Sequence, residues 1–425
     1  MSLVGAWIVL KFPAMKVLVL DAHSVAGLSV VRSLGRRGVE TEAAGEEGSF
    51  ALAARSRYAQ SFLSYPAPGR APAAFVAWIA GILRSRNYAY VIPVTDRTIV
   101  PLHLWGRELP GAGAVVLPGQ DSLERTLDKE LTLKAAGELG IPFPATSVWG
   151  RDGFREPGPF PLVVKSRFSR TEEGGSIVAD PGPVFVQNRK ELEAACRARH
   201  SLIPHPLVQE KIEGTGYGYF VLARRGEVLL SFAHRRVREE DPRGSRSSCC
   251  VSIAPPERLA DYAQRLIRGL DWTGVAMVEF KQDGRDGDFK LMEVNGRFWG
   301  SLPLSLAAGV DFPFALLEML EGHAVRQPDY RSGIKARYIY ADFQHLLNVF
   351  FGPPPAWTAA FPGRWRSLKD VGTDLFLPGV SGFTLVRDDP RPGLAENGRF
   401  LAFELPRRIF GGLKKKMKKG IKSLP

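Results

Sequence analysis

The chain has 425 residues, of which 45% are hydrophobic and 24% charged, the composition of an ordinary globular protein rather than a disordered or fibrous one. Its length suits two or three domains. The three cysteines, Cys196, Cys249 and Cys250, do not have zinc-binding spacing and argue against a disulfide framework. They favour a reducing compartment, so we expect a cytoplasmic protein.

The formal net charge of +13 is largely local. Basic residues concentrate in residues 405–425 and 235–246. Such clusters favour an anionic substrate and a solvated tail over a nucleic-acid surface, and we expect no nucleic-acid partner. Because the tail also carries Ile409, Phe410 and Leu413, peripheral contact with an anionic membrane is a rival interpretation.

Residues 1–14 are apolar but too short to cross a bilayer, and they lack the basic region of a signal peptide. Because a strand pattern begins directly after Met15, we interpret residues 1–14 as an upstream start or an extension that is not native.

Strand and helix patterns alternate over residues 15–118. Residues 16–21 form a continuous β-branched and leucine run, typical of a buried parallel strand. The following elements are strands at 39–43 and 90–94 and helices at 27–38 and 74–83. This alternation predicts a doubly wound, Rossmann-like domain.

Two features bear on ligand binding in this domain. The turn at residues 21–27 lacks the G-x-G-x-x-G pattern, which argues against a dinucleotide site. Thr95 and Asp96 follow a strand at the sheet edge where open α/β sheets bind ligands, so they either contact a substrate or cap the next helix.

The next segment places two lysines among predicted regular elements. A single helix is predicted over residues 122–139, with Lys129 inside it. An apolar strand at 160–165 delivers Lys165 at its end, where a lysine is costly unless it meets an anion. The charged loop 166–175 is much less glycine-rich than a P-loop but could fold over phosphates. Further elements are a helix at 190–199, a strand at 206–214, a hairpin at 218–234 and a helix at 259–270.

A second hairpin carries the most distinctive polar pattern. Its strands, residues 274–280 and 289–295, are joined by the turn 282–288. Alternate residues of a strand share a face, so Glu293, Asn295 and the following Arg297 are expected on one face. The opposite face carries Met292, Val294 and Gly296.

This hairpin can bring Glu279 of its first strand beside Glu293 and Asn295. Oxygen ligands alone suit a hard cation, Mg²⁺ or Mn²⁺, which normally bridges nucleotide phosphates. A polar strand face paired with surface lysines is the alternative, but it does not account for acids, an amide and Arg297 flanked by apolar residues.

The series of two lysines, two glutamates and an asparagine, in this order, resembles the ATP-grasp superfamily over about residues 15–325. Residues 234–238 and 292–300 are similar to its carbamoyl-phosphate-synthase-like, carboxylate–amine ligase branch. The resemblance implies a Rossmann-like pre-ATP-grasp domain followed by a two-lobed ATP-grasp fold with antiparallel sheets. The pre-ATP-grasp domain would span residues 15–118 and the ATP-grasp domain residues 119–325. Within the latter, the small lobe would span about 155–214 and the large lobe about 215–325. Residues 326–425 would form a C-terminal extension.

The resemblance implies that Lys129 and Lys165 contact ATP phosphates. It also implies that Glu210, Lys211 and Ile212 form the hinge, whose backbone pairs with adenine. Ribose contact would fall to Glu210 or Glu213. From the residues alone, Lys165 could instead be a strand-edge lysine, Lys129 a solvated helix lysine and Glu210 a surface acid.

The same resemblance implies that Glu279, Glu293 and Asn295 hold two Mg²⁺ or Mn²⁺ ions. Arg297 would face the transferring phosphate or the carboxylate substrate. Arg236 would stabilise the acyl phosphate, with Arg235 and Arg238 as competitors. A solvated basic loop is the alternative for residues 235–246.

Together these features predict an ATP- and Mg²⁺-dependent ligase that activates a carboxylate as an acyl phosphate for attack by an amine or similar nucleophile. Two other classes remain open: a dinucleotide-dependent oxidoreductase, and a non-catalytic ATP-binding module held at membranes by its tail. The oligomeric state is open, with a homodimer as one alternative.

Overall fold

The computed structural model describes residues 15–353, 357, 360–377 and 379–408. The predictions for residues 1–14 and for the basic tail from Ile409 onward lie outside this part. The described chain begins with a parallel sheet, continues with two antiparallel sheets and ends with helices packed on the last sheet.

The N-terminal domain has the predicted alternation of strands and helices. Its strands are β1 (Lys16–Val19), β2 (Glu40–Glu46), β3 (Phe62–Tyr65) and β4 (Tyr90–Ile92). Its helices are α1 (Val25–Arg36), α2 (Pro72–Ser85) and α3 (Asp96–Trp105). The strands pair in parallel in the order β3–β2–β1–β4. Val17, Leu18 and Val19 are fully buried, as expected of a parallel strand covered on both faces.

Asp21 fastens the end of β1 to the start of α3. Its carboxylate accepts hydrogen bonds from the backbone N–H groups of Val94 and Thr95 and from the Thr98 hydroxyl. Thr95 caps α3 through the Arg97 N–H. The capping role expected for this position is therefore present at Thr95.

The predicted single helix at 122–139 is wrong. Two helices, α4 (Gln120–Leu127) and α5 (Lys129–Glu138), are separated by Asp128 in an extended conformation. The Asp128 side chain accepts from the N–H groups of Glu130 and Leu131, so it caps α5 and makes Lys129 the first residue of that helix.

The small lobe is a four-stranded antiparallel sheet with one helix and a hairpin. Its sheet consists of β5 (Thr146–Val148), β6 (Leu162–Lys165), β9 (Val184–Val186) and β10 (Leu207–Glu210), in the order β5–β10–β6–β9. Helix α6 (Arg189–His200) packs on this sheet.

The hairpin of the small lobe consists of β7 (Arg170–Glu173) and β8 (Ser176–Ala179), so the segment predicted as a loop at 166–175 contains regular structure. The hairpin turns at Gly174 and Gly175, both with positive φ.

The large lobe is built on a seven-stranded sheet. Its strands are β11 (Gly214–Arg224), β12 (Glu227–Glu239), β13 (Ser247–Ile253), β14 (Gly274–Asp283), β15 (Phe289–Asn295), β16 (Lys335–Arg337) and β17 (Val380–Gly382). They pair in the order β15–β14–β11–β12–β13–β16–β17, antiparallel except for the last pair. The lobe also contains α7 (Glu257–Gly269), α8 (Leu302–Ala308) and α9 (Phe312–Leu320). Residues 235–239 therefore lie in β12, so the alternative of a solvated basic loop does not describe this part of the segment 235–246.

The C-terminal region supplies β16 and β17 and three helices, α10 (Ile339–Phe351), α11 (Arg364–Phe376) and α12 (Arg391–Arg399). A π-helical turn, Phe400–Glu404, follows α12. Buried ion pairs fasten this region on two sides: Arg32 of α1 contacts Asp389, and Arg238 of β12 contacts Asp342.

Among the described helices none is by itself both long and apolar enough to cross a membrane. Helices α8 and α9 together meet that length and composition, with an 88° bend between them.

Candidate active site

A cavity of about 720 Å³ lies between the N-terminal domain, the small lobe and the large lobe. All ten site residues predicted from the sequence line it. They are Lys129, Lys165, Glu210, Lys211, Ile212, Arg236, Glu279, Glu293, Asn295 and Arg297. The fold therefore gathers residues that lie up to 168 positions apart in the sequence (297 − 129) into one cleft.

Glu279 and Glu293 are directly opposite each other in the antiparallel pair β14–β15. The register then shifts, so that Phe280 faces Leu291 and Met292 is an extra residue in β15. This bulge puts Met292 on the cleft side, next to Glu293. The expectation that Met292 lies on the opposite face is wrong, because a bulge interrupts the two-residue alternation of side chains.

A hydrogen-bonded chain connects the N-terminal domain to these carboxylates. Asp96 accepts from Arg297 Nε at 2.8 Å, and a second Arg297 nitrogen donates to Asn295 Oδ1 at 2.8 Å. Asn295 Nδ2 in turn donates to Glu293 Oε1 at 2.9 Å. Asp96 thus positions Arg297, which in turn orients the Asn295 amide.

The two facing carboxyl groups have opposite pKa shifts. Burial, with repulsion from Glu293, raises the pKa of Glu279 although Arg236 opposes the change. Burial also acts to raise the pKa of Glu293, but Lys129, the Asn295 hydrogen bond and Lys165 outweigh it and lower that pKa. Glu293 is therefore the more readily ionised member of the pair.

Arg236 is the cation closest to Glu279. One of its terminal nitrogens lies 2.7 Å from Glu279 Oε2, and the other contacts Glu239 at 3.0 Å and the Ser245 carbonyl at 2.8 Å. Burial acts to lower the pKa of Arg236, but Glu279 and Glu239 raise it overall, so this guanidinium is permanently charged. Gly216 leaves room for the side chain, since a Cβ there would lie 2.6 Å from Arg236 Cδ.

The two predicted phosphate-binding lysines approach the acids from other elements. Lys165 ends β6, where burial lowers its pKa to about 8, with Glu293 opposing the shift. Lys129, at the start of α5, is buried and donates from Nζ to Ser169 Oγ at 3.1 Å. Both lysines interact electrostatically with Glu293.

The predicted hinge lies at the cleft but its side chains are already engaged. Glu210 accepts from the Ala145 N–H at 2.9 Å and forms an ion pair with Arg285 at 2.9 Å. Lys211 pairs with Glu213 and lies over the Trp357 ring, 4.2 Å from its centroid. These contacts occupy the side chains of Glu210 and Lys211.

Several cleft residues were not predicted from the sequence. Lys281 follows Glu279 by two positions on the same strand and donates to the Ile212 carbonyl at 3.2 Å, so strand alternation could have identified it. Tyr338 and Phe383 come from the C-terminal region and stack with ring centroids 5.9 Å apart. No motif marks these two, because they reach the cleft only through the pairing of β13, β16 and β17.

Among the described residues, no group of three or more His, Cys, Asp and Glu side chains could hold a metal ion. At the β14–β15 pair the cleft offers the carboxylates of Glu279 and Glu293 and the amide oxygen of Asn295. This donor set fits an ion such as Mg²⁺, which commonly uses one or two carboxylates and takes its other ligands from water and substrate phosphates.

Residues 203–341 match the family described as ATP-grasp in the biosynthetic pathway with Ter operon. The chain is also similar to the arginine-specific large chain of carbamoyl phosphate synthase from Cutaneotrichosporon cutaneum. The two are 22% identical over 253 residues, which is 56% of this chain and 20% of the relative. The chain thus matches only about a fifth of that relative's length.

Two solved structures share the fold. The L-amino acid ligase from Bacillus licheniformis is 17% identical with a TM-score of 0.53, covering 72% of this chain and 73% of that one. The biotin carboxylase domain of 2-oxoglutarate carboxylase from Hydrogenobacter thermophilus, solved with MgADP and bicarbonate, is 16% identical with a TM-score of 0.58. It covers 75% of this chain and 73% of that one.

A parallel-sheet domain followed by two antiparallel lobes, with lysines and paired acids lining the cleft between them, agrees with the ATP-grasp resemblance. The family match over residues 203–341, the carbamoyl phosphate synthase relative and the shared fold together support an ATP-grasp superfamily member. The predicted fold class and family resemblance are confirmed.

Proposed function

We propose that the protein is a ligase that uses ATP and Mg²⁺ to activate a carboxylate as an acyl phosphate and joins it to an amine or similar nucleophile. The observation that carries this proposal is the cross-strand pair Glu279–Glu293, with Asn295 beside it and Lys129 and Lys165 near it in one cleft. The MgADP and bicarbonate bound to the Hydrogenobacter domain support it by analogy.

The metal would be held by Glu279, Glu293 and Asn295. Like charges that face each other directly in a sheet are destabilising, so a cation between them relieves a cost that the free protein bears. When bound, Mg²⁺ supplies charge neutralisation for the phosphates. Asn295 is oriented for this role by Arg297.

The lysines would bind the phosphates, and the hinge would bind the base. Lys129 and Lys165 place two ammonium groups on the small-lobe side of the acids, where they offset the charge of the triphosphate. The backbone of Lys211 and Ile212 would pair with adenine, with Met292 among the apolar cleft residues that pack on it.

The proposed reaction has two steps. A substrate carboxylate oxygen attacks the γ-phosphorus, the bond to the bridging oxygen breaks and ADP leaves. The amine then attacks the acyl carbon and forms the C–N bond. The bond between the acyl carbon and the phosphate oxygen breaks, phosphate leaves, and the amine nitrogen loses a proton. Arg297 faces the carboxylate, and Arg236 lies beside Glu279 where negative charge develops on the acyl phosphate.

The test is a hydroxylamine-trapping screen over carboxylic acids with ATP and Mg²⁺. Hydroxylamine captures an acyl phosphate as a hydroxamate before the natural amine is known. We expect at least one acid to give a hydroxamate with stoichiometric ADP release. A protein stabilised thermally by NADH and not by MgATP, with no hydroxamate from any acid, would refute the proposal and favour the oxidoreductase class.

A further inference from the structure

Arg170, the first residue of β7, lines the cleft without a partner. In the part of the chain that the structure describes, its side chain has no ion pair and no hydrogen bond. The other cleft arginines nearby are engaged: Arg297 contacts Asp96 at 2.8 Å, and Arg97 lies 3.4 Å from Glu46. A half-buried guanidinium left unpaired in this way is costly unless an anion binds it.

The surroundings of Arg170 increase that cost. Burial, together with repulsion from Arg97 and Arg297, lowers its pKa, although Asp96 and Asp21 oppose the shift. Both acids already have other partners. Asp96 is bound to Arg297, and Asp21 accepts three hydrogen bonds from the loop and helix that follow β4.

Arg170 lies where the N-terminal domain meets the cleft. Its strongest charged neighbours are Asp96, Arg97 and Asp21 of that domain, and Arg297, which is bound to Asp96. The residue before Arg170, Ser169, accepts a hydrogen bond from Lys129 at 3.1 Å, so Arg170 borders the proposed phosphate site. Strand β7 also packs against α3, whose N-terminus carries partial positive charge.

We propose that Arg170 binds a second acidic group of the substrate, so that the acid activated in this cleft is a dianion. This inference rests on the proposed function, in which Arg297 faces the reacting carboxylate. A guanidinium suits either a carboxylate or a phosphate, because its paired N–H groups match two oxygens of both. The substrate class is therefore a dicarboxylic or phosphorylated acid.

The test is isothermal titration of matched acids into the full chain with MgADP present. The probes are succinate against butyrate, glutarate against pentanoate, and 3-phosphoglycerate against glycerate. We expect at least one dianion to bind roughly ten- to a hundredfold more tightly than its monoanionic match, the range of a charge-assisted contact. The matched pairs also distinguish a second carboxylate from a phosphate.

Three variants assign the preference to Arg170. Arg170→Met should abolish it, and Arg170→Lys should restore part of it as a point charge without paired donors. Arg189→Met, which removes a surface arginine of α6, should leave it unchanged. Because Arg170 has no described ion pair and its burial is costly, we expect Arg170→Met to unfold at the wild-type temperature or above it, which separates lost binding from lost folding.

The inference is overturned if no matched pair shows a dianion preference, or if the preference survives in Arg170→Met. A loss of MgATP affinity in Arg170→Met that exceeds its effect on the acids would also overturn it, by making Arg170 a phosphate contact. Binding is measured without turnover. A dianion that binds but gives no hydroxamate with ATP would therefore refute the ligase proposal and leave this site standing.

Discussion

Glu279 and Glu293 lie directly opposite each other in the β14–β15 pair, where two negative charges destabilise a sheet. Arg236, 2.7 Å from Glu279, and the Asn295 amide, 2.9 Å from Glu293, oppose this repulsion, but the pKa of Glu279 remains raised by burial and by Glu293. A site that is electrostatically costly in the free protein gains stability when a cation binds. Metal binding and folding stability are therefore coupled at these two residues.

Glu293→Gln should reduce ADP release by at least about a hundredfold, because it removes a charged metal ligand at the centre of the cleft. The change is nearly isosteric, so circular dichroism should be unchanged. The stabilisation that MgATP gives the wild type in thermal unfolding should be lost.

Glu257→Gln is the matched control, since Glu257 is exposed at the start of α7. Its ADP release and its response to MgATP should equal those of the wild type. Wild-type turnover in Glu293→Gln would remove this residue from the proposed metal site.

Arg236→Met should destabilise the protein by about 3–5 kcal/mol, the cost of leaving buried charges unpaired. Without this guanidinium, Glu279 and Glu239 lose their shared cation. Urea unfolding measures the change. Arg235→Met changes the adjacent, exposed arginine and should alter stability by less than about 0.5 kcal/mol. Equal effects of the two substitutions would contradict the role of Arg236 as the bridge between these acids.

Deleting residues 409–425, which lie outside the described residues, tests the membrane interpretation of the basic tail. We expect the shortened chain to keep its MgATP response but to lose sedimentation with vesicles containing anionic lipid. Each basic residue near such a surface contributes about 1 kcal/mol, so the loss should be large at low salt and small at high salt. Neutral vesicles are the control, and unchanged binding to anionic vesicles would exclude the tail as the anchor.

The order of fold elements could be predicted from the sequence because periodicity is local. The apolar run of β1 and the hairpin β14–β15 each follow from a few adjacent residues. The break at Asp128 could not be predicted from apolar spacing, which continues through it. It depends on a side-chain cap and on the Lys129 N–H, which donates to the Arg167 carbonyl in the small lobe. Tertiary contacts of this kind override helical periodicity.

The candidate site likewise contains residues that local sequence predicts and residues that only long-range contacts bring into the cleft. Glu293, Asn295 and Arg297 are close in sequence, so their shared direction was predictable. Tyr338 and Phe383 enter the cleft through long-range strand pairing, which no local pattern encodes. Arg170 was not predicted because its significance is the lack of a partner, a property that exists only after folding.

Lys165 should make nucleotide binding depend on pH in a defined direction. Because burial lowers its pKa to about 8, Lys165 is protonated below that pH and neutral above it in the free protein. Phosphates bind the protonated form, so the affinity for MgATP should be steady below pH 8 and fall as the pH rises further, by up to roughly tenfold per unit. Titration calorimetry between pH 7 and 9.5 measures this change in affinity.

Arg stays charged over the whole range, so Lys165→Arg should bind with little pH dependence. Lys134→Arg, at an exposed position of α5, should keep the wild-type profile. A flat wild-type profile would mean that Lys165 does not contact the nucleotide, whereas a slope shared by the wild type and Lys165→Arg would assign the titration to another group.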